Sequence, residues 1–170
     1  MKFIIAIASL AISLPALAQE AAPTAAPTAV RQITLPVNTL VEVTPAEEIT
    51  SKEMKEGTTR QFLVTRDVVE QGVVIIPRGA PVTAEVTWRT GKGIVGKSAK
   101  FELTFRSVRI NGTEKLLRGI HRQEGRGNTA GALLGATFIT GKSAVMVPGQ
   151  LVNVFTAEPI IVSGVAAPAQ

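Results

Sequence analysis

Residues 91–110 read GKGIVGKSAKFELTFRSVRI, and the second half of this stretch decides what the first half is. Gly91 to Ser98 match the phosphate-binding pattern G-x-x-x-x-G-K-[ST] letter for letter. A working P-loop lies between a strand and a helix. Loop amides and the helix N-terminus hold the phosphates, and the hydroxyl holds magnesium. Here Lys100 to Ile110, KFELTFRSVRI, alternates with a period of two, which marks a half-buried strand rather than a helix. The amide cradle is lost with the helix. No apolar run ends in Asp to ligate magnesium, and the only Asp in the chain is Asp67. GKGIVGKS is therefore read as a Gly-rich hairpin loop between two long antiparallel strands. It carries Lys92 and Lys97, with Lys100 just beyond it.

Both flanking strands can be followed residue by residue. In PVTAEVTWRT (81–90), Val82, Ala84, Val86 and Trp88 are expected inward, and Thr83, Glu85, Thr87 and Arg89 outward. In the strand after the loop, Phe101, Leu103 and Phe105 face inward. The phase then slips by one, so that Val108 and Ile110 do, and a β-bulge near Arg106-Ser107 accounts for the slip. Asn111-Gly112 supplies a tight hairpin turn, and Lys115 to Arg122 returns as a strand. Further strands are expected at Leu40–Thr44, Gln61–Val69, Val73–Ile76 after a Gln71-Gly72 turn, and Gln150–Thr156. Only Thr44 to Glu56 has any helical character, interrupted by Pro45 and ended at Gly57. Six or seven short strands at this spacing predict an all-β domain, a small antiparallel barrel or sandwich.

The ends of the chain read differently. Lys2, the apolar run Phe3 to Leu14 and the small-x-small triplet Ala16-Leu17-Ala18 have the layout of a signal peptide, residues 1–18. The run is about half of the roughly 20 residues that a membrane-spanning helix needs. A mature chain of 152 residues, Gln19 to Gln170, is expected, with net charge 17 − 13 = +4. Residues 19–32, rich in Ala, Pro and Thr, read as a disordered linker. Residues 33–162 read as the barrel-like domain, and 163–170 as a disordered tail. The chain has no cysteine, which excludes disulfides, a thiol nucleophile and Cys-ligated metal, and suits an oxidising periplasm.

Within the domain, Gly125 to Gly141, GRGNTAGALLGATFITG, is Gly-rich and then small and apolar from Ala130 to Ile139. It reads either as a loop or short helix tucked on the barrel, or as an exposed apolar hairpin that touches a membrane or a partner. Charge is unevenly spread. Arg78 to Arg126 hold eleven basic residues against four Glu, whereas Leu40 to Pro77 hold four basic against seven acidic. That asymmetry is either an ordinary solvated β-surface or a basic face for anionic envelope material.

Little else in the chain points to chemistry. His121 is the only imidazole, so a zinc site of three or four ligands is not expected, and it reads as a strand residue near a turn. No G-x-S-x-G elbow accompanies Asp67 for a Ser-His-Asp triad. Composition leaves room for a Glu pair; Glu47 and Glu48 are adjacent in a polar stretch that reads as solvated. Aromatic content is 4% and there is no Tyr, which argues against a sugar cleft.

Three runs carry a family resemblance: VVIIPRGAPVTAEV (73–86), FELTFRSVRINGTEKLLRG (101–119) and VPGQLVNVFTAEPI (147–160). Their turn-like motifs, spread over residues 33–162, resemble the C-terminal barrel domain of the TrbI-like scaffold subunit of bacterial type IV secretion and conjugation machines. Gly125 to Gly141 sit where that family places an apolar antenna. The chain is also similar to small exported alphaproteobacterial proteins that carry HRQEG-x-GNT before the apolar segment. The resemblance implies a barrel fold, a periplasmic setting and a structural domain without catalytic residues. It does not carry channel function across, because the chain has a cleavable signal in place of a membrane helix, and the apolar segment is too short for membrane-crossing helices.

The expectation is thus an exported, non-enzymatic envelope module in the periplasm. It would bind an envelope protein or an anionic envelope component, or self-assemble, with membrane contact through residues 130–139 and no nucleic acid or cofactor. The candidate interaction surface is Lys92, Lys97, Lys100 and Arg106 with Leu133, Leu134, Phe138 and Ile139. The alternatives are a periplasmic hydrolase using a Glu pair and a ligand-carrying barrel. Large inward residues, Trp88, Phe101 and Phe105, suggest a filled interior instead.

Overall fold

A computed structural model describes residues 30–93, 97–125 and 141–165. The expected signal peptide, most of the linker, Ile94 to Gly96 and the apolar segment from 126 to 140 lie outside the described residues.

The long hairpin is present as expected. β7 (Pro81–Thr90) and β8 (Lys100–Ile110) pair antiparallel, with Thr90 opposite Lys100 across the base of the Gly-rich loop. On β8 the residues at 101, 103 and 105 are buried, Arg106 is exposed, and Val108 and Ile110 are buried. The ladder accounts for the slip. Thr83 faces Ser107 and Ala84 faces Phe105, so Arg106 is the extra residue of a bulge.

A second bulge corrects the expectation for Trp88. Val86 faces Leu103 and Trp88 faces Glu102, leaving Thr87 as the extra residue. The alternation of β7 therefore reverses beyond Val86. Trp88 shares the outer face with Glu102, where the Arg122 guanidinium lies 4.9 Å from the centre of its ring. Arg89, expected outward, faces the same side as the buried Phe101 and donates from Nη1 to the Met54 carbonyl.

Beyond β8, Ile110 pairs with Thr113 around Asn111-Gly112, whose φ values of 49° and 81° make the left-handed two-residue turn that favours Asn and Gly. The returning strand is divided at Gly119. β9 (Thr113–Arg118) pairs first with the end of β8 and then, at Leu117 and Arg118, with β12 (Val152–Thr156). β10 (Ile120–Glu124) pairs with the start of β8. Gly119 packs so closely on Val154 that an added Cβ would lie 3.1 Å from Val154 Cγ1.

β2 (Leu40–Pro45) and β4 (Thr59–Val64) complete the circuit β8–β7–β4–β2–β12–β9–β8. The main sheet is thus a closed antiparallel barrel, which leaves few free edges. Its inward positions fill the interior: Val41, Val43, Phe62, Val64, Val82, Ala84, Phe101, Leu103, Phe105 and Val154 are all buried. Phe62 and Phe105 meet edge to face at 5.0 Å and 73°.

Short ribbons cover the two ends. Near the Asn111 turn, β1 (Val30–Leu35) pairs with β13 (Ile160–Val165) and buries Ile33, Leu35 and Ile160. This ladder extends the folded region beyond the boundaries of 33 and 162 expected from the sequence, because each strand supplies the other's hydrogen bonds. β5 (Val68–Glu70) and β6 (Val73–Ile76) form a hairpin at Gln71-Gly72 and bury Ile75 and Ile76. Asp67 Oδ1 accepts from the Arg78 amide at 2.6 Å and ties down the Pro77-Arg78-Gly79 corner. At the other end, β3 (Ile49–Thr50) pairs with β11 (Val145–Met146) over Met54. Thr44 to Glu56 is strand and turn, not helix. Its strands find partners in β12, β4 and β11, which local propensity does not reveal.

Candidate functional site

Two excursions leave the barrel at the β3–β11 end, and their bases are joined. The Ala99 amide donates to the Lys142 carbonyl at 3.2 Å, and the Gly125 amide donates to the Ala99 carbonyl at 2.9 Å. Residues 97–99 thus lie between the chain entering and the chain leaving the apolar segment. Both flanking glycines are required by closeness. A Cβ on Gly141 would lie 2.3 Å from the Lys97 oxygen, and one on Gly125 would lie 2.3 Å from the Lys142 oxygen. Ser51 fastens this base to β3. Its amide donates to the Ala144 carbonyl, and its hydroxyl accepts from the Ala144 amide.

The expected surface residues divide into three groups. Lys92 and Lys97 are exposed at the base of the hairpin loop. Lys100 begins β8 and is ion-paired to Glu124 at 2.7 Å. Arg106 is six residues further along β8, about 20 Å at strand spacing. It is bound to Glu85 through both Nε and Nη2 at 2.9 Å, so it does not join the lysines. Leu133, Leu134, Phe138 and Ile139 lie outside the described residues.

Sequence reasoning missed other members of this end. Lys52, Arg89 and Lys142 belong to three different segments, and no local spacing links them. Arg89 could have been found only by anticipating the bulge at Thr87. Ser51, Lys52, Arg89, Lys92 and Ser143 together border a cleft of about 250 Å3.

His121, on β10, faces a seam between β10 and the β11–β12 segment. Its Nε2 lies 3.2 Å from Gln123 Oε1, which also accepts from Gln150 Nε2 at 2.8 Å. Gln123 Nε2 in turn donates to the Val145 carbonyl. The imidazole is part of an amide network that closes the seam. Among the described residues no cluster of three His, Asp or Glu side chains is placed to hold a metal. On the outer face, Glu102 is held by Arg122 at 2.8 Å and Glu85 by Arg106, each carboxylate beside its own cation.

Fold and site together define the class: a small closed antiparallel β-barrel with a basic end from which two loops emerge on a shared base. No protein-family model matches the chain, and no curated protein is significantly similar to it.

Proposed function

We propose that the protein is a non-enzymatic, exported cell-envelope module that binds another envelope component or self-assembles through the β3–β11 end of its barrel. The observation that carries this reading is the shared base of the two excursions. The residue that follows the basic hairpin loop, Ala99, is joined by the Ala99–Lys142 and Gly125–Ala99 hydrogen bonds to the two residues that flank the segment carrying the uncharged apolar run Ala130–Ile139. A surface of this composition is costly to expose to water and gains from being covered. The packed interior supports a scaffold role over a carrier role, since the aromatic and branched side chains occupy the barrel lumen. The signal-peptide-like N-terminus and the resemblance to the secretion-scaffold barrel support the envelope setting.

Deletion of residues 130–139 tests the reading. The shortened protein is expected to keep the β-type circular dichroism and cooperative unfolding of the parent and to lose co-fractionation with the envelope. Unchanged co-fractionation would place the contact surface elsewhere.

A further inference from the structure

The cleft bordered by Ser51, Lys52, Arg89, Lys92 and Ser143 has a chemistry that envelope association alone does not require. Three cations from two segments, Lys52 after β3 and Arg89 and Lys92 at the end of β7, converge on it, and no carboxylate lines it among the described residues. Elsewhere on the barrel five cations are matched: Arg66 with Glu42, Lys100 with Glu124, Arg106 with Glu85, Arg109 with Glu114 and Arg122 with Glu102. Of the other described residues, Lys55, Arg60, Arg78, Lys97, Lys115, Arg118 and Lys142 are not; what sets the cleft apart is that three unmatched cations border one space. Among the described residues, Lys52, Arg89 and Lys92 make no such pair. Neither 94–96 nor 126–140 contains Asp or Glu; the neighbouring carboxylates are Glu53, next to Lys52 in the chain, and Glu56, and neither lines the cleft.

Arg89 is placed there by a specific device. The extra residue at Thr87 turns the end of β7 over and sends Arg89 from the outer face to the barrel end. Its Nη1 bond to the Met54 carbonyl fixes the guanidinium plane. A guanidinium has five N–H donors, and the others remain for a ligand. Its backbone amide is held by Glu56 Oε1, which sets the strand end rather than neutralising the fork. Two serine hydroxyls and two flexible ammonium groups complete a set composed of donors. That set matches a tetrahedral oxyanion, which offers several acceptor oxygens and up to two charges.

We propose that this cleft is a phosphate-binding site, taking the phosphoryl group of an anionic ligand. Strands and a bulge build it, not a P-loop; only Gly91 and Lys92 of the GKGIVGKS stretch contribute. It stands on its own geometry and does not depend on the envelope reading.

The test is a titration of the isotopically labelled protein with inorganic phosphate, followed by amide chemical shifts. Saturable shifts are expected at Ser51, Lys52, Gly91, Lys92 and Ser143. The double variant Lys52→Gln/Lys92→Gln, at two exposed positions, should weaken binding by about tenfold or more, equivalent to losing one charge-assisted contact. The charge-matched variant Arg109→Gln/Lys115→Gln, at the opposite end, should bind as the parent does. Shifts that do not saturate, shifts spread over Arg66, Arg78 and Arg109, or equal affinity in Lys52→Gln/Lys92→Gln would overturn the proposal. Sedimentation with phosphatidylglycerol–phosphatidylcholine vesicles separates the sources. Co-sedimentation lost in Lys52→Gln/Lys92→Gln assigns a lipid headgroup, and phosphate binding without co-sedimentation assigns a soluble phosphate.

Discussion

Replacing Gly141 by alanine puts the joined loop bases to a quantitative test. A Cβ at Gly141 falls 2.3 Å from the Lys97 carbonyl oxygen and 2.5 Å from the Ser98 nitrogen, whereas real Cβ atoms essentially never approach closer than 3.0 Å. The two backbones must separate by at least 3.0 − 2.3 = 0.7 Å. The Ala99–Lys142 bond is already 3.2 Å long, and that movement carries it past hydrogen-bonding reach. Overpacking of this kind costs about 1–3 kcal/mol, and a lost backbone bond adds about 1 kcal/mol. Gly141→Ala should therefore lose about 2–4 kcal/mol, read as a lower midpoint at unchanged slope in urea unfolding. Gly91, at the start of the hairpin loop and with nothing within 4 Å of its added Cβ, is the control. Gly91→Ala should stay within about 0.5 kcal/mol of the parent. If Gly141→Ala is as stable as Gly91→Ala, the two excursions do not share a base.

Other substitutions probe the barrel itself. Phe105→Ala removes one ring of the edge-to-face pair with Phe62 from a fully enclosed position, and should cost about 3–5 kcal/mol by chemical denaturation. Gly112→Ala forces a side chain onto a φ of 81° in the β8–β9 turn, and should cost about 1–2 kcal/mol. Equal stability would mean that the turn is not left-handed. Trp88 is the only tryptophan, so its fluorescence reports the outer face without interference. Acrylamide should quench it readily, and Arg122→Ala should change its emission while costing less than about 1 kcal/mol. A blue-shifted, unquenchable tryptophan would restore the inward orientation.

The strands legible in the sequence were those whose period is local. KFELTFRSVRI displays its alternation, its slip and its turn within a dozen residues, and each is found where the pattern places it. The slip is readable because apolar residues mark both sides of Arg106. The bulge at Thr87 is not, because Trp88 and Arg89 each tolerate either face: the tryptophan lies under an arginine and the arginine reaches a carbonyl. The β1–β13 ribbon was illegible for another reason. Its two strands lie at opposite ends of the chain, and only the pairing shows that Ile33 and Ile160 share a core. The same holds for the basic end. Lys92 was visible in its loop, but Ser51, Lys52, Arg89 and Ser143 meet it only through the β3–β11 and β7–β8 ladders.

The chain contains no cysteine, so a single introduced thiol is an unambiguous probe of which end meets a partner. Lys92→Cys places it at the basic end and Thr113→Cys at the hairpin on the far end of β8, both at exposed positions. With a thiol-linked photocrosslinker on intact envelopes, the account predicts adducts from Lys92→Cys and few or none from Thr113→Cys. Adducts from Thr113→Cys alone, or equally from both, would contradict the assignment of the β3–β11 end as the interaction surface.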